Sequence, residues 1–145
     1  MPQISRTALV PYSAEQMYQL VNDVKSYPQF LPGCSGSRII DASAGQMTAA
    51  VDVSKAGISK TFTTRNTLVD NQSIIMQLVD GPFRKLMGGW RFTPLGDDAC
   101  RIEFQLDFEF TSKLIELAFG RIFKELAGNM VQAFTSRAKE VYRVS

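Results

Sequence analysis

The sequence predicts an α+β domain in which a curved antiparallel sheet of about six to seven strands wraps one long C-terminal helix. Three observations predict it. Residues 100–110 alternate strictly, with Ile102, Phe104, Leu106, Phe108 and Phe110 on one face and Arg101, Glu103, Gln105, Asp107 and Glu109 on the other. That is the period of a strand with one buried and one wet face. From Gly33 to Phe110, strand-like runs follow one another through short turns, which favours antiparallel pairing over parallel crossovers. From Thr111 or Ser112 to about Val141 the spacing becomes helical: Ile115, Phe119, Ile122, Phe123, Leu126, Met130, Phe134 and Val141 share one broad face. A stripe that wide needs a large partner surface, and the inner face of the sheet is the candidate.

Taken in order, Gln3–Val10 reads as a first strand that Pro11 ends. Ser13 and Gln16 have the spacing of a capping box, and Met17, Leu20, Val21 and Val24 continue as a short amphipathic helix. Tyr27-Pro-Gln-Phe-Leu-Pro32 holds two prolines in six residues, which disallows a regular helix. Its aromatics still need burial, so this segment is expected to pack as a lid or plug. Strands follow at Ser35–Asp41 and Gln46–Ser54 around a turn at residues 42–45, then at Ile58–Val69 after a turn at Lys55–Gly57. Next come a turn at Asp70–Gln72, a strand at Ser73–Val79, and a breaker at Asp80-Gly-Pro82. Lys85–Thr93 and Cys100–Phe110 pair around Gly96-Asp-Asp98, and Thr111 or Ser112 caps the long helix. The order strand, short helices, six strands, long helix is a helix-grip arrangement. Lacking repeats and linkers, it is expected to form a single domain over residues 1–145.

Composition narrows the chemistry. At 145 residues one core suffices without staples, since a chain of this size buries roughly two-thirds of its unfolded surface. There is no histidine, which removes the usual general base near neutral pH and with it Ser–His and Cys–His nucleophile pairs. Cys34 and Cys100 form no CxxC pair and no zinc spacing, so they read as buried thiols for which a disulfide is unneeded. The first thirteen residues lack the apolar run of a signal peptide, and no stretch approaches the ~20 apolar residues of a membrane span. A cytoplasmic protein without a transmembrane segment is the expectation.

Catalytic motifs are missing too: no GxSxG, Walker loop or GxGxxG occurs, and nothing brings two acids together. No catalytic residue, no metal site and no enzyme activity is expected. Binding signals are better. Strand Ile58–Val69 carries polar residues on both faces, which fits either a partly polar cavity or nucleic-acid-facing surface, or a solvated edge strand. Trp90 follows Gly88-Gly89, a pair suggesting a bulge or close backbone approach; it is either a core residue at a strand bend or a cavity wall. Residues 54–91 carry six basic residues (Lys55, Lys60, Arg65, Arg84, Lys85 and Arg91) against two acidic ones. This segment either tracks a phosphate backbone or is a solvated strand face.

Four separated stretches carry a family likeness: Tyr27-Pro-Gln-Phe-Leu-Pro-Gly-Cys34; Val53-Ser-Lys-Ala-Gly-Ile-Ser-Lys-Thr-Phe62; Gly81-Pro-Phe83 with Gly89-Trp-Arg-Phe92; and Asp107-Phe-Glu-Phe110 leading into the helix. Together they resemble the ribosome association toxin (RatA) family of the START-like polyketide cyclase/dehydrase superfamily. The pattern is shared with the mitochondrial coenzyme Q-binding START proteins, and the likeness covers essentially the whole chain. It implies a helix-grip, START-like fold and a toxin-type protein that binds the large ribosomal subunit, blocks its association with the small subunit and inhibits translation initiation. Lys55, Lys60, Arg65, Arg84, Lys85 and Arg91 are the candidates for ribosomal RNA contact. The alternative it implies is a ubiquinone- or lipid-binding protein supporting respiration, with Phe30, Phe62, Trp90, Phe104, Phe108, Phe119 and Ile122 as cavity candidates. No cofactor is required on either reading, and no DNA partner is implied.

Overall fold

A computed structural model describes residues 3–55 and 57–142. Seven strands form one antiparallel sheet: β1 (Gln3–Val10), β2 (Cys34–Ser43), β3 (Gln46–Lys55), β4 (Ile58–Val69), β5 (Ser73–Asp80), β6 (Phe83–Pro94) and β7 (Cys100–Phe110). Their spatial order is β1-β7-β6-β5-β4-β3-β2, so the first two strands lie at opposite edges. The chain between them therefore has to cross the sheet. It does so as helix α1 (Ala14–Asn22) followed by a 3₁₀ segment, Val24–Gln29. Helices α2 (Lys113–Gly128) and α3 (Met130–Val141) pack on the concave face.

The predicted capping box is present: the Gln16 amide donates to Ser13 Oγ at 3.1 Å, and the Ser13 amide donates to Gln16 Oε1 at 2.9 Å. Reciprocal capping of this kind stabilises a helix start by about 1 kcal/mol. Pro28 sits inside the 3₁₀ segment, where i→i+3 bonding demands less of the ladder than an α-helix would. Tyr27 and Leu31 are buried, and the Tyr27 hydroxyl donates to the Val21 carbonyl, pinning the segment to α1. The segment thus closes the open end of the grip.

Two strand ends differ from expectation by two residues, and four others by one. β2 runs on to Ser43, which pairs with Gln46, so Ala44-Gly45 forms a two-residue turn with Gly45 at φ 78°. β6 starts at Phe83, because Gly81-Pro82 alone suffices to break the chain. Of the expected turn at Lys55–Gly57, Ala56 lies outside the described residues.

Gly88 and Gly89 mark a close backbone approach with no shift in register. A Cβ at Gly88 would stand 2.1 Å from the Gln105 carbonyl oxygen, and one at Gly89 would stand 2.0 Å from that of Ile74. Their φ values of 153° and 151° suit glycine for the same reason. The C-terminal helical run is interrupted once, at Asn129, whose amide is shared between the Glu125 and Leu126 carbonyls at 3.1 and 3.3 Å. Gly128 and Asn129 are weak helix formers and loosen that turn. The ladder resumes with Ala133 donating to Asn129 at 2.9 Å, so the single long helix expected from sequence is two consecutive helices, α2 and α3.

Rings dominate the core. Phe83, Phe108, Phe110, Phe119 and Phe123 form one cluster, with Phe83 and Phe123 centred 4.7 Å apart. Trp90, Phe104 and Phe134 form a second, toward the 3₁₀ segment. Aromatic pairs at such distances add about 0.5–1.5 kcal/mol beyond burial. Cys34 and Cys100 are buried free thiols.

Candidate functional site

Between the two aromatic clusters the sheet and the C-terminal helices do not quite meet. The gap is an interior cavity of about 50 Å³. Its sheet wall is Ala49, Val51, Phe62, Thr64, Asn66, Met76, Leu86, Trp90, Phe104 and Leu106; its helical wall is Phe123, Leu126, Ala127 and Met130; Val24, Tyr27 and Leu31 close it. That volume holds about three to five water molecules and is well below the ~300 Å³ where small-molecule pockets begin. An organic occupant has to displace the closing segment.

β4 explains why the wall is partly polar. It lies between β3 and β5 and is paired on both sides, so the solvated-edge reading does not hold. Its even-numbered residues face the helices. Thr64 and Asn66, 5% and 6% exposed, are thereby buried in an apolar chamber. Thr64 Oγ1 donates to Asn66 Oδ1 at 2.8 Å. Among the described residues the Asn66 amide nitrogen has no further partner, leaving a donor beside the cavity. Tyr27 is the titratable oxygen on the wall. Burial pushes its hydroxyl far above the ordinary value, and its proton is committed to Val21.

Of the aromatic candidates, Phe62, Trp90 and Phe104 stand on the cavity wall. Trp90 satisfies both of its readings, being 1% exposed, packed on Phe104 at 4.7 Å and on the wall. Phe108 and Phe119 do not reach the cavity, because the ring cluster around Phe83 and Phe123 absorbs them. Phe30 lies outside the closing segment, against Tyr27, Phe134 and the Arg137 guanidinium, which sits 5.1 Å from the ring centre. Ile122 is half-buried beside the core. Thr64, Asn66 and Tyr27 were not picked out as site residues. For Thr64 and Asn66 the signal is positional, since 62, 64, 66 and 68 fall on one face of a strand; Tyr27 is signalled only by the need to bury the aromatics of the closing segment.

The six basic candidates are not gathered on one surface. Lys55 Nζ is bonded to Glu125 Oε2 at 2.7 Å, a bond that holds the Glu125 carboxyl below its usual range. Lys60 is in phase with Phe62 and opposite the buried Val53, on the helix side. Arg65, Lys85 and Arg91 are exposed on the convex face. There Lys85 pairs in register with Glu109 and Arg91 with Glu103, so β7 places an acid beside each. Arg84 lies at a register irregularity, 3.5 Å from Glu109. The convex face also carries a polar group unforeseen from sequence. Asp52 accepts from the Thr61 hydroxyl and from Arg38 Nη1 at 3.1 Å, and the Thr61 bond, with the Arg38 bond and charge behind it, outweighs partial burial to hold its carboxyl below the usual range.

Comparison with known proteins comes to the same fold. A family model described as polyketide cyclase / dehydrase and lipid transport matches residues 10–135. The ribosome association toxin RatA of Escherichia coli (strain K12) is 84% identical over 142 residues, covering 98% of this chain and 90% of that protein. At greater distance, the mitochondrial coenzyme Q-binding protein COQ10 homolog B of Xenopus laevis is 29% identical over 142 residues, covering 95% of this chain and 58% of that one. Among solved structures, a START superfamily protein from Mycobacterium smegmatis superposes with a TM-score of 0.79 at 26% identity, covering 96% of this chain and 98% of that one. The Zhui aromatase/cyclase from Streptomyces superposes with a TM-score of 0.85 at 17% identity, covering 99% and 96%.

Proposed function

This chain belongs to the polyketide cyclase / dehydrase and lipid transport family, in its ribosome association toxin branch, and from that premise we propose that it acts as a single START-like domain that binds the large ribosomal subunit in the cytoplasm. In doing so it hinders joining of the small subunit and lowers translation initiation. The observation that carries this is the 84% identity to the Escherichia coli toxin along nearly the whole chain. What favours a binder over an enzyme is the wall chemistry: its lining residues include no carboxylate, lysine or cysteine, and Tyr27 is tied to a carbonyl. Likeness to the aromatase/cyclase at 17% identity speaks for the fold and not for its chemistry.

Binding to ribosomal RNA is salt-dependent through phosphate contacts. Because the basic candidates divide between two sides, two charge-reversal variants separate them: Lys55→Glu with Lys60→Glu, and Arg65→Glu with Lys85→Glu and Arg91→Glu. At low salt one of the two is expected to lose co-sedimentation with large subunits. Retention by both would remove these residues from the interface.

The ubiquinone or lipid reading has one observation of its own, the free Asn66 donor beside an apolar cavity. Such a group suits the carbonyl of a quinone or ester. Native mass spectrometry of gently purified protein should then show a bound isoprenoid or lipid, and added quinone should quench Trp90. Protein that is empty and unquenched would contradict it. Both readings hold together if an occupant of the cavity governs ribosome binding.

A further inference from the structure

The solvent face of α2 is built differently from the other exposed surfaces. Leu114 and Leu117 are 74% and 77% exposed, the highest values for large hydrophobics among the described residues. They stand three residues apart on one helix and so adjoin. At 100° per residue, Lys113, Arg121 and Lys124 fall within the same arc. The Arg121 side chain is 93% exposed. Glu125, at the rim on the Leu114 side of the arc, is held by Lys55 at 2.7 Å and lies 4.0 Å from Arg121 Nε, a weaker contact that leaves most of that guanidinium in solvent. The opposite side of α2 buries Phe119, Phe123 and Leu126, so folding of the helix does not depend on the two outer leucines.

A single exposed leucine is ordinary. Two adjoining ones interleaved with three cations along one arc have a specific complement: a surface with negative charge outermost and hydrocarbon just beneath. A polyanion such as RNA would engage the cations and leave both leucines in water. A protein's apolar pocket would engage the leucines and leave the cations idle. We propose that the solvent face of α2 docks on an anionic lipid surface, with Leu114 and Leu117 entering the acyl boundary and Lys113, Arg121 and Lys124 lying among the headgroups. Phe123, Leu126 and Ala127, on the far side of the same helix, form part of the cavity wall. Docking therefore sets the cavity one helix thickness from the bilayer.

The test is flotation with vesicles of three parts phosphatidylcholine to one part phosphatidylglycerol, against vesicles of phosphatidylcholine alone. The protein is expected to float with the anionic vesicles only, and less as salt is raised. Two variants, Leu114→Glu with Leu117→Glu, and Lys113→Glu with Arg121→Glu and Lys124→Glu, should each lose most of the bound fraction. Their thermal melts should match the parent, since all five side chains are outside the core. Failure to float, equal flotation on zwitterionic vesicles, or flotation of both variants like the parent overturns the proposal. So does loss of large-subunit co-sedimentation by the leucine variant when the parent ignores vesicles, since the face would then belong to the ribosome.

Discussion

Thr64 donates to Asn66 inside a wall otherwise made of hydrocarbon and rings, so replacing either alone strands the other. Thr64→Val and Asn66→Leu are each expected to cost about 1–3 kcal/mol in urea denaturation, the penalty of an unpaired buried group. The double variant should cost less than the sum, with a coupling of about 1 kcal/mol; simple additivity would contradict the pairing. Asp52 behaves differently because it is partly exposed. Its folded-state pKa lies below the ordinary value, so its contribution is present at neutral pH and lost as pH falls through the folded-state value. Asp52→Asn should lower stability by about 0.5–1 kcal/mol at neutral pH, and the difference should vanish in acid, as thermal melts across pH will report. At this scale the sequence was half legible. Phe62, Trp90 and Phe104 could be chosen because rings on an inward face line whatever space exists. Phe108 and Phe119 look the same in sequence, and only their distances to Phe83 and Phe123 take them from the cavity into a packed cluster.

Each element begins and ends for a local chemical reason. Ser13 caps α1 and Ser112 caps α2, the latter accepting from the Ile115 amide at 3.2 Å. Ser13 is visible as a capping residue ahead of an apolar stripe, whereas the sequence leaves the second cap open between Thr111 and Ser112 and the structure selects Ser112. Gly88-Gly89 was visible as an anomaly in a strand, and the structure supplies its cause, carbonyls of β7 and β5 closing in from either side. Gly89→Ala is therefore expected to destabilise the protein by more than about 2 kcal/mol, because a backbone carbonyl cannot yield as a flexible side chain does. A chemical-denaturation midpoint unchanged from the parent would contradict that packing. The interruption at Asn129 was not legible. Apolar spacing runs through it unbroken, and a weak helix former inside a strong stripe signals nothing until the hydrogen bonds are traced.

The topology of the whole molecule follows from where the chain must go. Placing β1 and β2 at opposite edges forces α1 and the 3₁₀ segment across the mouth of the grip. The prolines of that segment made a lid readable from sequence; the smallness of the cavity under it was not, since volume is set by how rings from β4, β6, β7 and α2 interlock. The charge pattern misleads for a related reason. A basic stretch at residues 54–91 and an acidic one at 92–112 appear segregated along the chain, yet antiparallel register brings Lys85 beside Glu109 and Arg91 beside Glu103. Acids of β7 are thereby set among the bases of β6, with Glu109 paired to Arg84 at 3.5 Å, and the net cationic surface is smaller than the count along the chain suggests. We propose that this body is a binder acting on ribosome assembly. The most direct test is a sucrose-gradient profile of ribosomes mixed with the purified protein under subunit-joining conditions. The joined-ribosome peak is expected to fall and the free-subunit peaks to rise, with the protein migrating beside the large subunit. An unchanged profile with all the protein at the top of the gradient would contradict it.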